Sequence, residues 1–370
     1  MRIGIDFHLA EREGTGNCTY MRNLVESLVR LDSQNEYFLY VTDSQFPYHR
    51  IFKDYKNVRL RSLRFKSPLL RIPLLGFMTF VDKIDIFHVN YYGPPFFRGK
   101  MLLTIHDLSF FYIPECFTTF ERVKNRVLIP ININRASKVL TVSEYSKKDI
   151  TESYNIPPEL VEVGYNGANA IFVPITDLDH AARIVKSYGV SGKYILYVGR
   201  LNKRKNLTGL VKAFTMLKER KSIPHQLVIG GIKDFLPQAE TEMINTSPYK
   251  DDIIFTGYLP EEHLPMFYGL ADVFVYPSFY EGFGLPCLEA MSCGCPVISS
   301  NVTSLPEVVG DAGILVDPSN VNQIAQAMFE VVSTEGLRPE MSMKGLERAK
   351  LFSWDKTAKK ILEVIERVHE

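Results

Sequence analysis

The feature that most constrains the fold is a regular alternation of strand-like runs with helix-like segments along 370 residues. Six short runs rich in β-branched and aromatic residues occupy the first half, at RIGIDF, YFLYVT, VRLRSL, IDIFHVN, MLLTIHD and KVLTVS. A second series begins at KYILYVGR (193–200) and continues through HQLVIGG, DIIFTGY, DVFVYPS, CPVISS and AGILV. Strands that alternate with helices form parallel sheets with helices on both faces. The sequence therefore predicts an α/β protein with two parallel sheets.

The length of the chain favours two domains, because it exceeds what a single hydrophobic core usually holds. A stretch rich in Gly, Asn, Asp and Pro, GYNGANAIFVPITDLDHAARI, separates the two series and places a boundary near residues 170–190. We expect a first domain over 1–175 and a second over 185–350, facing each other across a cleft. The final segment, 353–370, has the pattern of an amphipathic helix with Ser353 as its N-cap, and we expect it to pack back on the first domain.

Composition excludes several classes of protein. A net charge of +1 argues against nucleic acid as a partner, since no basic excess exists to neutralise a phosphate backbone. The N-terminal residues lack the pattern of a signal peptide, and no apolar stretch is long enough to cross a bilayer. An odd set of cysteines without zinc-type spacing favours reduced thiols and a cytoplasmic protein: Cys18, Cys116, Cys287, Cys293 and Cys295.

The stretch YEGFGLPCLEAMSCGCPVISS (280–300) has the pattern of a loop and a helix between two strands. A helix N-terminus attracts anions, and Gly282 and Gly284 would let the backbone approach a phosphate. Glu281 and Glu289 flank this point, with Glu289 expected in the first turn of a helix that begins at Pro286 and ends just before Gly294. Carboxylates repel phosphate but accept hydrogen bonds from hydroxyl groups, so a diphosphate that carries sugars fits the whole stretch. The alternative is that both glutamates are solvated residues favoured by the helix dipole.

Four bases follow the first strand of the second series, in YVGRLNKRKNL. Arginine and lysine supply the countercharge that a departing diphosphate needs. We expect Arg200 and Lys205 to point toward the ligand, and Lys203 and Arg204 to point into solvent. The alternative is a solvated, charged loop.

Two features of the first half suggest further contacts. His106 follows the strand MLLTIHD, where it could act as a base or polarise a reacting group, although a packed histidine bonded to backbone is the commoner outcome. EGTG, which contains Gly14 and Gly16, follows the first strand and predicts a flexible loop before a helix. It lacks the full dinucleotide fingerprint.

Motifs along nearly the whole chain carry a resemblance to a known family. They are EGTG, TIHDLSFFYIPE, TVSEYSKKDI, YNGAN, GRLNKRKN, TGYLPEEHL and the long run YPSFYEGFGLPCLEAMSCGCPVISSNVTSLPEVVGDAGILVDP. The last contains two glutamates in an E-x7-E spacing. The chain resembles retaining glycosyltransferases of family 4, and in particular bacterial polysaccharide-assembly mannosyltransferases. The resemblance implies the GT-B architecture, two Rossmann-like parallel-sheet domains facing an interdomain cleft.

The resemblance also implies roles for individual residues. Glu281 would hold hydroxyls of the transferred sugar, Glu289 the nucleotide ribose, and His106 would lie at the acceptor side of the reacting sugar. Arg200 and Lys205 would bind the diphosphate, and with Glu281 and His106 they form the implied catalytic set. The other implied donor contacts are Gly16, Gly199, Tyr258, Leu259, Phe283, Gly284 and Leu285. Asn17 and Cys18 stand where relatives often continue the first loop with further glycines.

The implied activity is transfer of a hexose from a nucleotide-sugar to a hydroxyl of a glycan or lipid-linked acceptor, with retention at the anomeric carbon. GDP-mannose is the expected donor. No cofactor or metal is expected, since Asp177 and Asp179 fall in the linker and are interpreted as a polar turn. Two alternatives are a catalytically inactive sugar-nucleotide-binding module and a NAD-dependent dehydrogenase, the latter disfavoured by the incomplete glycine fingerprint.

Residues 50–71 carry eight basic residues against one acid, and the apolar run IPLLGFMTF follows them. This pairing could rest on an anionic membrane and meet a lipid-linked acceptor. The alternative is a basic strand of the first domain followed by a core-facing helix. The expected location is therefore the cytoplasm, with peripheral contact at the inner membrane face left open.

Overall fold

The computed structural model describes residues 1–12, 14–43, 45–63, 68–231 and 238–370. Within these residues the chain divides into two compact units. The first unit comprises Met1–Phe111, Phe117–Gly167 and Ser353–Glu370, and the second comprises Tyr112–Cys116 and Ala168–Phe352. The second unit thus takes residues 168–175 and 112–116, which lie inside the first domain predicted from the sequence.

The first unit is built around a parallel sheet. Its strands are β1 (Arg2–Asp6), β2 (Glu36–Val41), β3 (Val58–Ser62), β4 (Ile86–Asn90), β5 (Lys100–Thr104), β6 (Lys138–Thr141) and β7 (Val161–Val163). Its helices are α1 (Gly16–Leu31), α2 (Pro68–Val81), α3 (Ser109–Tyr112, whose last residue belongs to the second unit), α4 (Thr119–Arg135), α5 (Glu144–Tyr154) and the C-terminal helix (Trp354–His369). Short 3₁₀ turns lie at His8–Glu11, Pro47–Asp54 and Pro158–Leu160.

The strand order in the described part of the first unit is β3-β2-β1-β4-β5-β6-β7, with every pair parallel. β1 lies between β2 and β4, with Ile3 opposite both Tyr37 and Ile86. All residues of β4 are buried, as expected for a strand covered on both faces by helices. The six strands predicted in this half are confirmed, whereas β7 was missed because its three residues are too short to give a pattern.

The C-terminal helix packs on α1 in the first unit. Ser353 caps its N-terminus by accepting a hydrogen bond from the Lys356 amide at 3.2 Å. The Thr357 hydroxyl donates to the Tyr165 carbonyl. Gly167 allows this approach, since a Cβ there would lie 2.4 Å from the Trp354 backbone nitrogen. The helix therefore completes the first unit although the whole second series of strands precedes it in the chain.

Two arginines of the basic segment of residues 50–71 form ion pairs within the first unit, whereas Arg50, Lys53, Lys56 and Arg59 are exposed. The Arg61 guanidinium lies 3.0 Å from the Asp82 carboxylate, and that of Arg71 lies 2.6 Å from Asp6. Arg64 and Lys66 fall outside the described residues. Helix α2 buries Leu75 and exposes other apolar side chains, so the alternative of a core-facing helix describes only one of its sides. Contact with a membrane stays a prediction.

The second unit contains another parallel sheet. Its strands are β8 (Tyr194–Val198), β9 (Gln226–Gly230), β10 (Ile253–Gly257), β11 (Val273–Tyr276), β12 (Val297–Ser300) and β13 (Ile314–Val316). Its helices are α6 (Leu178–Ser187), α7 (Leu207–Arg220), α8 (Gln238–Asn245), α9 (Leu264–Leu270), α10 (Leu285–Ser292), α11 (Leu305–Val309), α12 (Val321–Ser333) and α13 (Leu337–Ala349), and the C-terminal helix is α14 in chain order. Its 3₁₀ turns are Pro114–Cys116, Lys203–Lys205, Lys250–Asp252, Glu261–His263 and Gly310–Ala312.

The strand order over the described residues of the second unit is β10-β9-β8-β11-β12-β13, again parallel throughout. All six strands of the predicted second series are confirmed. The order reverses at β8, since β9 lies on one side of it and β11 on the other. In such sheets ligands bind at the carboxyl ends of the strands beside this reversal. Arg200 and the loop before α10 both follow strands at this point.

Across the described residues, the structure contains no helix that is long and apolar enough to cross a membrane.

Candidate functional site

Helix α10 begins directly after a glycine with an unusual backbone. Gly284 is its N-cap, with φ +110° and ψ +46°, a region that favours glycine. A Cβ at this position would lie 2.6 Å from Leu305 Cδ2. Pro286 occupies the second helical position, one residue later than predicted, and Gly294 follows the helix at φ +74°, as predicted. The glycine therefore sets the direction in which the first amides of α10 point.

Glu281 and Lys205 form a buried ion pair in the second unit. Lys205 Nζ lies 2.5 Å from Glu281 Oε1 and 2.6 Å from the Tyr276 hydroxyl oxygen. Burial raises the pKa of Glu281, but the positive charges of Lys205 and Arg204 outweigh this and hold it below its usual value. Glu281 is therefore ionised at neutral pH and compensated at close range.

Hydroxyl groups that follow β12 fix the backbone around Glu281. The Ser304 hydroxyl lies 2.9 Å from the carbonyl oxygens of both Glu281 and Phe283, to which it donates. The Glu281 amide donates to Thr303 Oγ1 at 3.2 Å. The Phe283 ring packs edge-on against Phe352 at 5.7 Å. Thr303 and Ser304 were not predicted from the sequence, where the hydroxyl-rich run SSNVTS was the one available signal.

The four bases after β8 differ in environment. Lys205 is buried, Arg200 and Lys203 are exposed, and Lys203 lies 3.7 Å from Glu115. The prediction that Arg204 points into solvent was wrong, because it is half-buried and its charge lowers the pKa of Glu281. The reason is local geometry: Lys203, Arg204 and Lys205 form a 3₁₀ turn, which is held to the loop after β11 because the Arg204 carbonyl accepts a hydrogen bond from the Phe279 amide at 2.9 Å.

Glu289 lies in a different environment from Glu281. It is the fifth residue of α10, so it falls in the second turn rather than in the first turn predicted from the sequence. It is partly buried and accepts a hydrogen bond from the Tyr268 hydroxyl at 3.2 Å. Burial, together with the negative charge of Glu261, raises the pKa of Glu289 to about 7. Its ionisation state therefore changes near neutral pH.

Replacing Glu289 with glutamine is expected to stabilise the protein near pH 8 by about 1–2 kcal/mol and to have little effect near pH 5. The folded pKa of about 7 lies above the usual 4.5, so the folded state holds the proton more tightly. The free energy of unfolding of the wild type then falls as the pH rises from the usual pKa of 4.5 through the folded pKa of about 7. Urea unfolding at both pH values measures the difference. Glu262→Gln is the control, because Glu262 is exposed, and it should change the free energy of unfolding equally at the two pH values. If Glu289→Gln also has the same effect at both pH values, burial of Glu289 is not the cause.

Glycines and Leu259 shape the ends of β8 and β9. The Gly199 amide donates to the Gly230 carbonyl at 3.0 Å, and a Cβ at Gly231 would lie 2.3 Å from the Gly199 carbonyl oxygen. Leu259 is buried, and a Cβ at Gly230 would lie 2.7 Å from its Cδ1. Tyr258 is exposed. Of the predicted contacts with the base, Tyr258 is thus accessible, whereas the Leu259 side chain is committed to packing.

His106 lies in the first unit, in a buried group of polar and aromatic side chains. Its Nε2 lies 3.1 Å from Asn90 Oδ1, and its ring meets the Tyr20 ring edge-on at 4.6 Å. Burial lowers the pKa of His106 to about 4, so the imidazole is neutral at pH 7. Gly16, also in the first unit, is the exposed first residue of α1, after the N-cap Thr15.

Asp177 caps a helix. Its carboxylate accepts a hydrogen bond from the His180 amide at 2.9 Å, at the start of α6. No group of three or more His, Cys, Asp or Glu side chains that could hold a metal ion occurs among the residues that the structure describes. Asp177 and Asp179 thus begin helix α6 rather than form a polar turn, and the expectation that no metal is needed stays a prediction.

Two family profiles match the chain, one in each half. The profile described as Glycosyltransferase Family 4 matches residues 16–170, and that of glycosyl transferases group 1 matches 182–348. The O-antigen chain mannosyltransferase B of Escherichia coli is 35% identical over 271 residues, which cover 72% of this chain and 71% of that protein. The serotype-specific mannosyltransferase WbdA of Escherichia coli is 31% identical over 60% of this chain but only 28% of its own length.

A solved structure supports the fold over the full length. The crystal structure of Anabaena HepE in complex with UDP-glucose aligns with a TM-score of 0.77, at 16% identity, over 99% of this chain and 100% of that chain. At this identity the likeness concerns the fold alone.

Proposed function

We propose that this chain, which belongs to the glycosyltransferases of family 4 and group 1, transfers mannose from GDP-mannose to a hydroxyl of a glycan or lipid-linked acceptor, with retention at the anomeric carbon. That it is a hexosyltransferase of polysaccharide synthesis with a GT-B fold follows from the family and its relatives. The donor, the linkage chemistry and the residue roles are the proposal. Mannose is supported by the names of the two Escherichia coli relatives.

The observation that carries the proposal is the ionised, compensated Glu281 beside the N-terminus of α10. An uncompensated carboxylate would repel a diphosphate at this point. Because Lys205 Nζ lies 2.5 Å from its carboxylate, Glu281 can accept hydrogen bonds from sugar hydroxyls without that repulsion. The Gly284 cap directs the first amides of α10 toward the same loop. One loop thus offers acceptors for a sugar and donors for a phosphate.

The proposed reaction exchanges one bond for another at the anomeric carbon. The bond from this carbon to the diphosphate oxygen breaks, and a bond to the acceptor oxygen forms on the same face of the sugar. The acceptor proton passes to the departing phosphate oxygen, so no protein base is needed for this transfer. Lys205 and Arg200 stabilise the negative charge that develops on the diphosphate. Glu289 binds the ribose, and His106, neutral at pH 7, donates or accepts one hydrogen bond on the acceptor side.

A panel of nucleotides tests the donor. GDP-mannose and GDP are expected to raise the melting temperature, since a ligand that binds only the folded state stabilises it by mass action. UDP-glucose and UDP serve as the matched comparison, because HepE was crystallised with UDP-glucose. Stabilisation by the uridine compounds alone would contradict the donor assignment. Slow hydrolysis of GDP-mannose in the absence of acceptor, measured as the release of GDP, distinguishes an active enzyme from an inactive binding module, which would release none.

Activity is expected to survive removal of divalent metal. The diphosphate can be neutralised by Arg200 and Lys205, so that no metal ion is required to bridge it. Turnover of GDP-mannose is measured with and without EDTA, followed by addition of Mg²⁺ or Mn²⁺. Loss of turnover in EDTA that either ion restores would contradict this part of the proposal and leave the donor assignment intact.

A further inference from the structure

His8 lies at the carboxyl edge of the sheet in the first unit, two residues after the end of β1. The strand order reverses at β1, because β2 lies on one side of it and β4 on the other. In open parallel sheets ligands bind beside such a reversal, outside the carboxyl ends of the strands. The reversal at β8 lies beside the candidate donor loop of the second unit. The reversal at β1 therefore marks a second place where a ligand is expected.

A buried ion pair holds the imidazole of His8. Asp6, the last residue of β1, is 1% exposed. Its Oδ1 lies 2.8 Å from His8 Nδ1 and 2.6 Å from Arg71 Nη1, and Arg71 of α2 is also buried. Burial raises the pKa of Asp6, but the neighbouring His8 and Arg71 outweigh this and hold it well below its usual range. Asp6 is therefore ionised at neutral pH.

The bond to Asp6 determines which nitrogen of His8 is available to a ligand. An ionised carboxylate can only accept hydrogen bonds, so His8 Nδ1 carries the proton that it donates to Asp6. In the neutral imidazole this leaves a lone pair on Nε2. Among the residues that the structure describes, no hydrogen bond involves this Nε2, and it is not among their buried polar atoms. The second nitrogen of His8 is thus accessible at the edge of the sheet.

The 3₁₀ turn that begins at His8 is held from two sides. Arg22 Nε of α1 donates to the Ala10 carbonyl at 2.8 Å. The carboxylate of Glu11, the last residue of the turn, accepts a hydrogen bond from the Thr42 amide at 2.9 Å. These contacts fix the backbone of the turn, while the buried carboxylate fixes the imidazole ring. The accessible nitrogen of His8 is therefore presented in one direction, as selective binding requires.

The chemistry of this place favours a hydroxyl group over a phosphate. The positive charge of Arg71 is compensated by Asp6 at 2.6 Å. A lone pair on His8 Nε2 repels the oxygens of an anion but accepts a hydrogen bond from a hydroxyl group, and saccharides carry many hydroxyl groups. The cations assigned to the donor diphosphate, Arg200 and Lys205, belong to the second unit. A saccharide that binds beside β1 is therefore assigned as the acceptor.

We propose that His8 is an acceptor-binding residue, whose Nε2 accepts a hydrogen bond from a hydroxyl of the acceptor saccharide, and that Asp6 and Arg71 are positioning residues. The inference rests on the proposed function, and it deepens that function by assigning a glycan to this part of the acceptor. His8 takes no proton in this scheme, because the acceptor proton passes to the departing phosphate oxygen.

Two substitutions of His8 separate this role from a purely structural one. The amide of His8→Asn can replace Nδ1 as the donor to Asp6, but the variant has no group at the position of Nε2. The longer side chain of His8→Gln brings an amide near that position and gives up the bond to Asp6. If His8 binds the acceptor, His8→Gln should bind a saccharide more tightly than His8→Asn. A purely structural role predicts the reverse order.

Saturation-transfer NMR on the full chain, with and without GDP, measures the binding of α-linked mannobiose and mannotriose. The wild type is expected to bind at least one of them, and His8→Asn should raise its dissociation constant about tenfold. His180→Asn is the control, because His180 is an exposed histidine of the second unit, and it should bind like the wild type. GDP-mannose should raise the melting temperature of all variants equally, which also verifies that each is folded.

Three results would overturn the role of His8. They are wild-type binding of neither saccharide, unchanged binding by His8→Asn, and weaker binding by His8→Gln than by His8→Asn. A failure of the proposed donor is distinguishable from these. If GDP-mannose does not stabilise the wild type but the saccharides bind with the expected order of variants, the donor assignment is wrong and the role of His8 is supported.

Discussion

Replacing Lys205 with methionine should lower the free energy of unfolding by about 3–5 kcal/mol and reduce turnover about a hundredfold or more. Methionine fills a similar volume but leaves the buried Glu281 carboxylate without the ammonium group 2.5 Å away. Because the charge of Lys205 is a main cause that lowers the pKa of Glu281, this pKa should rise in the variant. The loss of stability should then be greater near pH 8 than near pH 5, where the carboxyl group can bind a proton. Urea unfolding at both pH values measures it.

Two further variants make this result specific. Lys203→Met removes an exposed lysine two residues away and should change stability by less than about 0.5 kcal/mol. Lys205→Met/Glu281→Gln removes both charges, so it should recover much of the stability but none of the turnover. If Lys205→Met has the same free energy of unfolding as the wild type, the Lys205–Glu281 ion pair does not stabilise the loop before α10. The proposal that this ion pair compensates the charge of Glu281 would then be wrong.

Gly284→Ala should destabilise the protein by about 2–4 kcal/mol and reduce turnover about tenfold or more. Alanine rarely adopts the φ of +110° found here, and its Cβ would lie 2.6 Å from Leu305 Cδ2. Leu305 is fully buried and has little room to move. The backbone must therefore shift, and the first amides of α10 shift with it. Thermal unfolding and the rate of GDP release measure the two effects.

Gly336 provides the matched control for this substitution. It is also a helix N-cap with positive φ, +81°, before α13, but a Cβ there would meet nothing within 4 Å. Gly336→Ala should cost only about 1 kcal/mol, the backbone contribution alone, and leave turnover unchanged. Equal losses for the two variants would show that contact with Leu305 is unimportant.

The fold could be predicted from the sequence because strands buried on both faces are continuous apolar runs. β4 and β11 are examples, with every residue buried. The edge strand β7 has three residues and gives no such run. Helix termini were predicted from local chemistry, as at Ser353 and Gly294, because a cap depends on a few neighbouring residues.

The interior of the site depends on contacts that no local pattern contains. Lys205 and Glu281 are separated by 76 positions in the chain, and only the parallel order β8-β11-β12 brings their strand ends together. The environment of Arg204 likewise depends on a distant part of the chain, since its carbonyl accepts a hydrogen bond from the Phe279 amide, which follows β11.

The C-terminal helix gives this chain an order of events during its synthesis. Residues 353–370 emerge from the ribosome after all of Ala168–Phe352. Until then α1 lacks the helix that packs on it, whose Ile361 and Ile365 side chains are buried in the finished protein. The second unit can therefore complete its core first, while the surface of α1 that the C-terminal helix covers is still exposed in the nascent first unit. A stalled or truncated chain is thus expected to present α1 to chaperones and proteases.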